Sequence, residues 1–369
     1  MQYTKTELHT HLVGMLSGDG FLRFLNSYRR YTDDILHWPT DYDEPIEIVV
    51  SNIVNNPDFI NDLEIKFGKQ IRYDEMNNYY NKRTELLKEL SKKFAIKNGI
   101  SNKNAEKIIY NDYINRCLSE LVKQGVEYVE ISYSIFSRIK SFEIDSDLSD
   151  KIKCKFLLST QRSNDVSSFK KSAVDLKKLL EQGVAVGFDI MGEERKLRFD
   201  ELDYNNVDES FKRKLEVLFD ALLKYDNTTL RIHSGETNDS FTNTMKILEF
   251  IEEISYEKNI IIPPPEIRIG HGLYFDKNLE YVEKLKKFGC IIEINASSNF
   301  ALGNIKDYSS LPYEYYIKNE IPVVLSTDGH GLYSTSIVIE DHIAERITDK
   351  NTYDEILTID ETIRDRKGR

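Results

Sequence analysis

The sequence predicts an α/β chain of the (β/α)8 type, a TIM barrel with a helical insertion between strands 1 and 2. Three observations carry this. From residue 125 onward, short apolar strand patterns alternate with amphipathic helical ones. The histidines and acidic groups of chemical interest fall just after strands, the end at which this fold places its sites. The first strand lacks the Gly-rich phosphate fingerprint that would open a doubly wound sheet. A length of 369 residues would accommodate two or three domains, but barrels run past about 250 residues as one. The expectation is one domain over residues 1–369, with the insertion at about 21–124.

In chain order, residues 3–12 alternate with the period of a strand, which sends His9 and His11 out on the same side. Gly14 and Gly18 to Gly20 make a turn. Segments 21–31 and 84–97 carry apolar residues at helical spacing. The Tyr79-Tyr80 and Lys92-Lys93 pairs within this stretch read as surface. Strand two is 125–133, and strand three, 154–160, is followed by Arg162. A charged helix at 167–182 leads to strand four at 184–190 and then Gly192. Helix 208–225 precedes strand five, 228–233, and helix 241–258 precedes strand six, 267–272. Helix 277–288 leads to strand seven, 290–295, which ends in Ser297-Ser298-Asn299. Strand eight, 321–327, ends in Asp328-Gly329-His330-Gly331. The residues beyond it suffice for one closing helix, with a frayed basic end from Arg364 to Arg369.

The hydrophobic fraction of 40% supplies a large core, and the net charge of −12 comes without a run of Lys and Arg that could track a phosphate backbone. Nucleic acid is therefore excluded as a partner, whereas a basic pocket for one phosphate is not. Cys117, Cys154 and Cys290 are too far apart for a CxxC metal site and read as reduced, buried thiols. No apolar run approaches the ~18 residues of a membrane span. The N-terminus enters a strand pattern directly, leaving no room for a signal peptide. The chain is expected to be cytoplasmic and off the membrane. Its acidic surface permits self-association, but no feature specifies it.

The stretch Arg231 to Thr237 runs a buried strand into His233, a small-residue turn and Glu236. An imidazole at a strand mouth with a carboxylate nearby suits hydrolysis, where a metal activates water and the carboxylate moves protons. Four other strand-end residues match it: His9, His11, His271 and Asp328. Strand ends one, five and eight of a closed barrel face one mouth, so distant positions can meet there. Three imidazoles and a carboxylate suit zinc or a similar borderline metal, with one position left open for water. Five of the seven histidines fall on this face, a clustering that scattered structural histidines do not produce. His37 and His342 take no role.

The chain resembles the adenosine deaminase family of metal-dependent amidohydrolases. The matching segments are Glu7-Leu8-His9-Thr10-His11-Leu12, Gly187-Phe188-Asp189-Ile190-Met191-Gly192-Glu193, His233-Ser234-Gly235-Glu236, Arg268-Ile269-Gly270-His271-Gly272, Ser298-Asn299 and Ser326-Thr327-Asp328. They occur in the family's order across most of the chain. The resemblance implies that His9, His11, His233 and Asp328 bind one Zn2+ per subunit. It implies that Glu236 protonates purine N1 while water attacks C6, that His271 orients that water, and that Gly192 contacts N3 through its backbone. Ser298 and Asn299 join the substrate-binding residues on the same ground. No Lys follows strand four where binuclear amidohydrolases bridge two metals, so a single metal is expected.

Two departures concern the substrate. Val13 stands where the family's nucleoside deaminases have an Asp that binds the ribose 5′-hydroxyl. Losing that acceptor weakens nucleoside binding, and losing its charge makes a 5′-phosphate more tolerable. Gly329 stands where a second consecutive Asp of the family accepts a hydrogen bond from the base at N7, leaving a rearranged loop or His330 as the substitute. The pattern Thr-Asp-x-x-Gly resembles the branch acting on adenine monophosphates. The expected activity is zinc-dependent hydrolytic deamination of an adenine nucleoside or nucleotide, adenosine, deoxyadenosine or their phosphates, to the hypoxanthine form. A phosphorylated substrate is favoured, with Arg162, Arg138 or His330 as the phosphate contacts. The rival readings are a deaminase of another purine-like or modified-adenine ring, and a nucleotide-sensing pseudoenzyme, either of which would also fit antiphage defence. A cytidine-deaminase site is excluded by the missing H-x-E…P-C-x-x-C signature.

Overall fold

The computed structural model describes residues 5–28, 31, 63–66, 68–134, 142–192, 194, 209–237, 241–260, 265–274 and 279–368. Eight strands form one sheet in sequence order: β1 Lys5–His11, β2 Val126–Tyr133, β3 Lys153–Gln161, β4 Ala185–Met191, β5 Thr229–Ser234, β6 Glu266–His271, β7 Ile291–Ile294 and β8 Val323–Leu325. Every neighbouring pair is parallel. The sheet curls until β8 meets β1 through a parallel bridge between Thr10 and Asp328. There the Asp328 N–H donates to the His9 carbonyl at 2.8 Å, and its own carbonyl accepts from the His11 N–H at 3.2 Å. This is the (β/α)8 barrel that the alternating patterns predict, with strand boundaries within about two residues of the sequence reading.

The strand period sorts the side chains into two sets. Leu8, Phe188, Ile190, Leu230, Ile232, Ile267, Ile269, Ile292 and Ile294 are fully buried and share the parity that faces the helices. The alternate positions carry Glu7, Glu130, Asp189, Arg231, Arg268 and Glu293, each 0% exposed. Bonds between strands that are not neighbours show that this second set points inward. Arg231 on β5 donates to Ser132 on β2 at 2.6 Å and to Glu293 on β7 at 2.7 Å. Arg268 on β6 reaches Glu130 on β2 at 2.9 Å. The barrel interior is thus an ionic lattice rather than the usual branched-chain filling. Arg231 and Arg268 tolerate burial because Glu293 and Glu130 pair with them. Glu7 has no such cation among the described residues, and burial pushes its carboxyl up to about 8.

Between β1 and β2 run α1 (Gly18–Ser27), α2 (Tyr73–Asn98) and α3 (Asn102–Lys123). Ser17 and Ser101 cap α1 and α3 by accepting from the Gly20 and Asn104 N–H groups, and α2 ends at Gly99 in the left-handed conformation, φ +63°. The buried Arg83 guanidinium fastens α2 to the barrel mouth. It donates to the carbonyls of Leu63 (2.8 Å), Leu16 (2.7 Å), Val13 (3.2 Å) and Gly331 (3.3 Å). The outer helices continue with α4 (Val166–Glu181), α5 (Glu209–Leu222), α6 (Phe241–Glu257) and α7 (Leu279–Lys287), then the short α8 (Ala296–Ala301) and α9 (Tyr313–Lys318). Among the described residues, no helix is long and apolar enough to cross a membrane.

The C-terminal region departs from expectation. Two helices come after β8, α10 (Ile337–Ile347) and α11 (Lys350–Gly368), and the basic end is docked rather than frayed. Lys367 donates to the Asn227 carbonyl at 2.9 Å and to the Thr229 hydroxyl at 3.0 Å, and it lies 3.6 Å from Glu266. Arg366 also bonds Glu266. Although burial opposes it, the cations Arg268, Lys367 and Arg366 hold the Glu266 carboxyl down to about 2. Its stabilising contribution is therefore present above the ordinary carboxylate pKa and lost as pH falls toward 2. Lys367→Ala should lower unfolding free energy by about 1–3 kcal/mol, since Glu266 keeps Arg268 but loses a buried partner. Urea denaturation at pH 7 measures it; an unchanged midpoint would show that the docked end contributes nothing.

Candidate active site

Closure of the barrel brings the predicted histidines together. His233 Nε2 lies 3.0 Å from His9 Nε2 and 3.1 Å from His11 Nε2. The Asp328 carboxylate faces the same point, 3.3 Å from His11 Nε2 and 3.6 Å from His9 Nε2. Asp328 can reach it because the strand bridge places residue 328 beside β1. Its φ of +63° lies in the left-handed region, as does that of His271 at +73°. Non-glycine residues held there mark sites whose surroundings over-determine the backbone.

Behind this cluster, buried carboxylates fix the rings. Glu293 Oε2 lies 2.9 Å from His9 Nδ1, and Asp189 Oδ1 lies 3.1 Å from His233 Nδ1. A carboxylate at Nδ1 favours the tautomer whose Nε2 lone pair points at the cluster. Burial and the neighbouring cations push His9 well below the imidazole range, and burial takes His11 down to about 3. His233 alone is raised: burial opposes its charge, but Asp189 overrides this. Asp189 itself stays ionised, its burial outweighed by His233 and Arg231.

The donor set fits a metal. Three ring nitrogens and a carboxylate oxygen converge where a proton could satisfy at most one pair, so the remaining lone pairs would oppose one another. A tetrahedral zinc with ~2.0–2.1 Å bonds spaces its ligands roughly 3.3 Å apart, close to the 3.0 and 3.1 Å between these nitrogens. Donor atoms of His9, His233, His271 and Asp328 also lie within 4.8 Å of one another, as do those of His11, Asp189 and His233. His11 joins the cluster through its contacts of 3.1 Å to His233 and 3.3 Å to Asp328. His271 stands at the edge, its Nδ1 3.4 Å from the Asn295 amide, which is equally far from His9 Nδ1.

Glu236 stands on a loop clamped by Glu194. That carboxylate accepts from the Ser234 hydroxyl (3.0 Å) and from the N–H groups of Gly235 (3.1 Å) and Glu236 (2.9 Å). Burial, reinforced by the Asp328 and Glu194 charges, pushes the Glu236 carboxyl up to about 8. Burial takes His271 down to about 3. A cavity of about 730 Å3 opens onto these groups, within the range of small-molecule sites. Its lining includes His11, Val13, Gly192, Arg162, His233, Glu236, His271 and Asp328.

Not every predicted residue reaches this cavity. Ser298 and Asn299 are buried in α8, both bonded to the Asn295 carbonyl, and they line no part of it. His330 lies 3.6 Å from Glu120 on α3 and is not among the residues that line the cavity. Arg162 does line the cavity, but its guanidinium already bonds the His233 carbonyl and lies 3.8 Å from Glu194. Gly192 follows β4 with φ +108°, a backbone conformation that favours glycine, and Gln161 Oε1 lies within 2.1 Å of where a Cβ would stand. Arg138, Glu193 and His37 fall outside the described residues.

Asp189, Glu293 and Asn295, which stand behind the histidine cluster, are given no role by the sequence reading, although Asp189 lies in one of the matching segments. The signal that could have found the two acids is a charged residue at the inward parity of an otherwise apolar strand. Tyr80, expected at the surface, lies in the site instead. Its hydroxyl is 3.5 Å from the Asp328 carbonyl, and its ring meets the His11 ring edge-on with centroids 6.3 Å apart.

Residues 72–356 match the family model for adenosine deaminase. An adenosine deaminase of Enterococcus faecalis is 25% identical over 224 residues, 60% of this chain and 56% of that protein. The chain thus spans about half the length of that curated relative. N6-methyl-AMP deaminase-L of Xenopus laevis is 26% identical over 112 residues, 30% of this chain and 32% of that protein. Among solved structures, the N6-methyl-AMP deaminase of Arabidopsis thaliana superposes with a TM-score of 0.61 at 18% identity, covering 99% of this chain and 96% of that one; this likeness is one of fold. With the family match running from α2 into α11, and the histidine motifs of β1, β5 and β6 meeting at one barrel mouth, the chain belongs to the adenosine deaminase family.

Proposed function

We propose that the protein is a hydrolase that deaminates an adenine nucleoside or nucleotide, with one zinc ion held by His9, His11, His233 and Asp328. The observation that carries this reading is the convergence of those four side chains on a cavity that also holds an elevated carboxylate, Glu236, and a neutral imidazole, His271. A bound zinc would lower the pKa of water and so supply a nucleophile near neutral pH.

The chain's own groups handle the protons. Glu236, protonated at neutral pH, donates to purine N1 and so draws electron density away from C6. The water oxygen bonds to C6 while His271, kept neutral by burial, accepts a hydrogen bond from that water and orients it. The proton that the water sheds passes to His271 and from it to the C6 amino nitrogen, so the C6–N bond breaks and ammonia leaves. The C6 hydroxyl proton restores Glu236 and leaves the C6 carbonyl. Glu194 and Arg162 hold the loop that aims Glu236, so they act through position.

Val13, where an acceptor for a ribose 5′-hydroxyl is lost, supports a phosphorylated substrate. A second reading, an N6-substituted adenine nucleotide, is supported by the match to the Xenopus N6-methyl-AMP deaminase. The test is a panel of adenosine, deoxyadenosine, their 5′-phosphates and N6-methyl-AMP with the zinc-loaded protein, following the conversion to hypoxanthine and the released amine. We expect turnover of at least one member, loss of activity on chelation with a fall in Tm, and recovery of both with zinc. Silence across the panel with one zinc bound per chain would overturn the enzymatic reading in favour of a nucleotide sensor.

A further inference from the structure

One wall of the cavity is a face of α2. Tyr73, Asn77, Tyr80, Asn81, Thr84 and Lys88 line it at helical spacing. The helix cannot slide, because Arg83 ties it to four carbonyls at the barrel mouth and Tyr80 abuts Asp328 and His11. Tyr80 therefore marks the cluster end of this wall. Lys88 lies eight residues further on, roughly 12 Å along the axis at about 1.5 Å per residue. A purine with C6 at the cluster extends its ribose and 5′ substituent over a distance of that order.

Charge along the wall is graded. The carboxylates lining the cavity, Glu236 and Asp328, both belong to the cluster end. Among the described lining residues, the permanent cations are Arg162 and Lys88. Arg162 is 1% exposed and engaged with His233 and Glu194. Lys88 is half-buried and has no ion pair among the described residues. Its neighbours toward the cluster, Thr84 and Asn81, are neutral, as is Ser134 across the cavity. A flexible ammonium over neutral donors suits a phosphate bound as a point charge.

We infer that Lys88 is the specificity-determining contact for the 5′-phosphate, a place that the loss of an acidic residue at Val13 leaves open to an anion. This rests on the reading of the substrate as a nucleotide. The experiment compares wild type, Lys88→Ala and Lys88→Arg on adenine 5′-monophosphates and the matching nucleosides, together with calorimetric binding of inosine and inosine 5′-monophosphate. Lys88→Ala should lower kcat/KM on the nucleotide about tenfold, through KM, the size expected of one partly solvated charge contact. Nucleoside turnover should stay within about twofold, and Lys88→Arg should restore nucleotide binding, since both carry the charge.

If wild type prefers the nucleotide but Lys88→Ala loses less than about twofold in both KM and binding, the assignment of Lys88 is overturned while the substrate reading survives. If wild type handles and binds nucleotide and nucleoside equally, the substrate reading fails and this inference falls with it. The binding arm decides the matter even where turnover is slow.

Discussion

Gly270→Ala is expected to abolish metal binding at the proposed site and with it most of the activity, although the substitution adds one methyl group. Gly270 is on β6 beside the ring of His9, and a Cβ there would lie 2.6 Å from His9 Cε1 and 3.1 Å from Nδ1. The His9 ring cannot yield. It is 0% exposed, its Nδ1 faces Glu293 at 2.9 Å, and the His233 and His271 rings pack edge-on around it, with centroids 4.6 and 5.3 Å away. Any shift that relieves the clash carries Nε2 out of the cluster. Supports of metal ligands are worth about 10- to 100-fold in affinity, and overpacking adds about 1–3 kcal/mol of destabilisation. The backbone of Gly270 is not in the left-handed region, so the effect is steric. Zinc stoichiometry by elemental analysis and Tm with and without added zinc measure it. Full zinc occupancy in Gly270→Ala would show that the ring has room to move.

Glu236→Gln should have the opposite signature, with metal content intact and turnover lost. Gln preserves size and hydrogen bonding but has no acidic proton, and positioned acid–base groups contribute about 10²–10⁴-fold. We expect kcat to fall about 10³-fold with KM within a few fold. The pH dependence comes from the raised carboxyl. A group that must be protonated works below its pKa and fails as pH rises through it. With burial and two carboxylates setting Glu236 at about 8, and a dication in the cluster drawing it lower, the alkaline limb of kcat/KM should begin at or below pH 8. An activity that stays flat to about pH 9 in wild type would remove Glu236 from the role of acid. A Gln variant that keeps wild-type kcat would do the same.

The strands are readable because each pairs an apolar run with a turn, and the period of two survives in any context. His9 and His11, two residues apart on one strand, need no tertiary information to share a side. The ionic interior is harder. Arg231 and Arg268 read only as charged residues in apolar strands, since their partners Glu293 and Glu130 sit on strands that are distant in sequence and not adjacent in the sheet. The same reason hides Asp189 and Glu293 behind the histidines. Tyr80 and Lys88 do not stand out because a polar face of a long helix usually meets solvent. Only the Arg83 tether, which turns that face over the barrel mouth, makes it a wall of the site.

The sequence alone determined what is local and periodic: the eight strands, the helices between them, and which residue types stand at the strand ends. The tertiary structure decided proximity. Barrel closure at Thr10 and Asp328 joins the two ends of the strand order. It swings Asp328 into the histidines and leaves His330 facing Glu120, two residues later on the same turn. It also docks Lys367 beneath Glu266, where composition alone suggested a loose tail. Side-chain direction along a strand is fixed by backbone period, whereas contact between distant segments depends on how the sheet curls and where its edges meet.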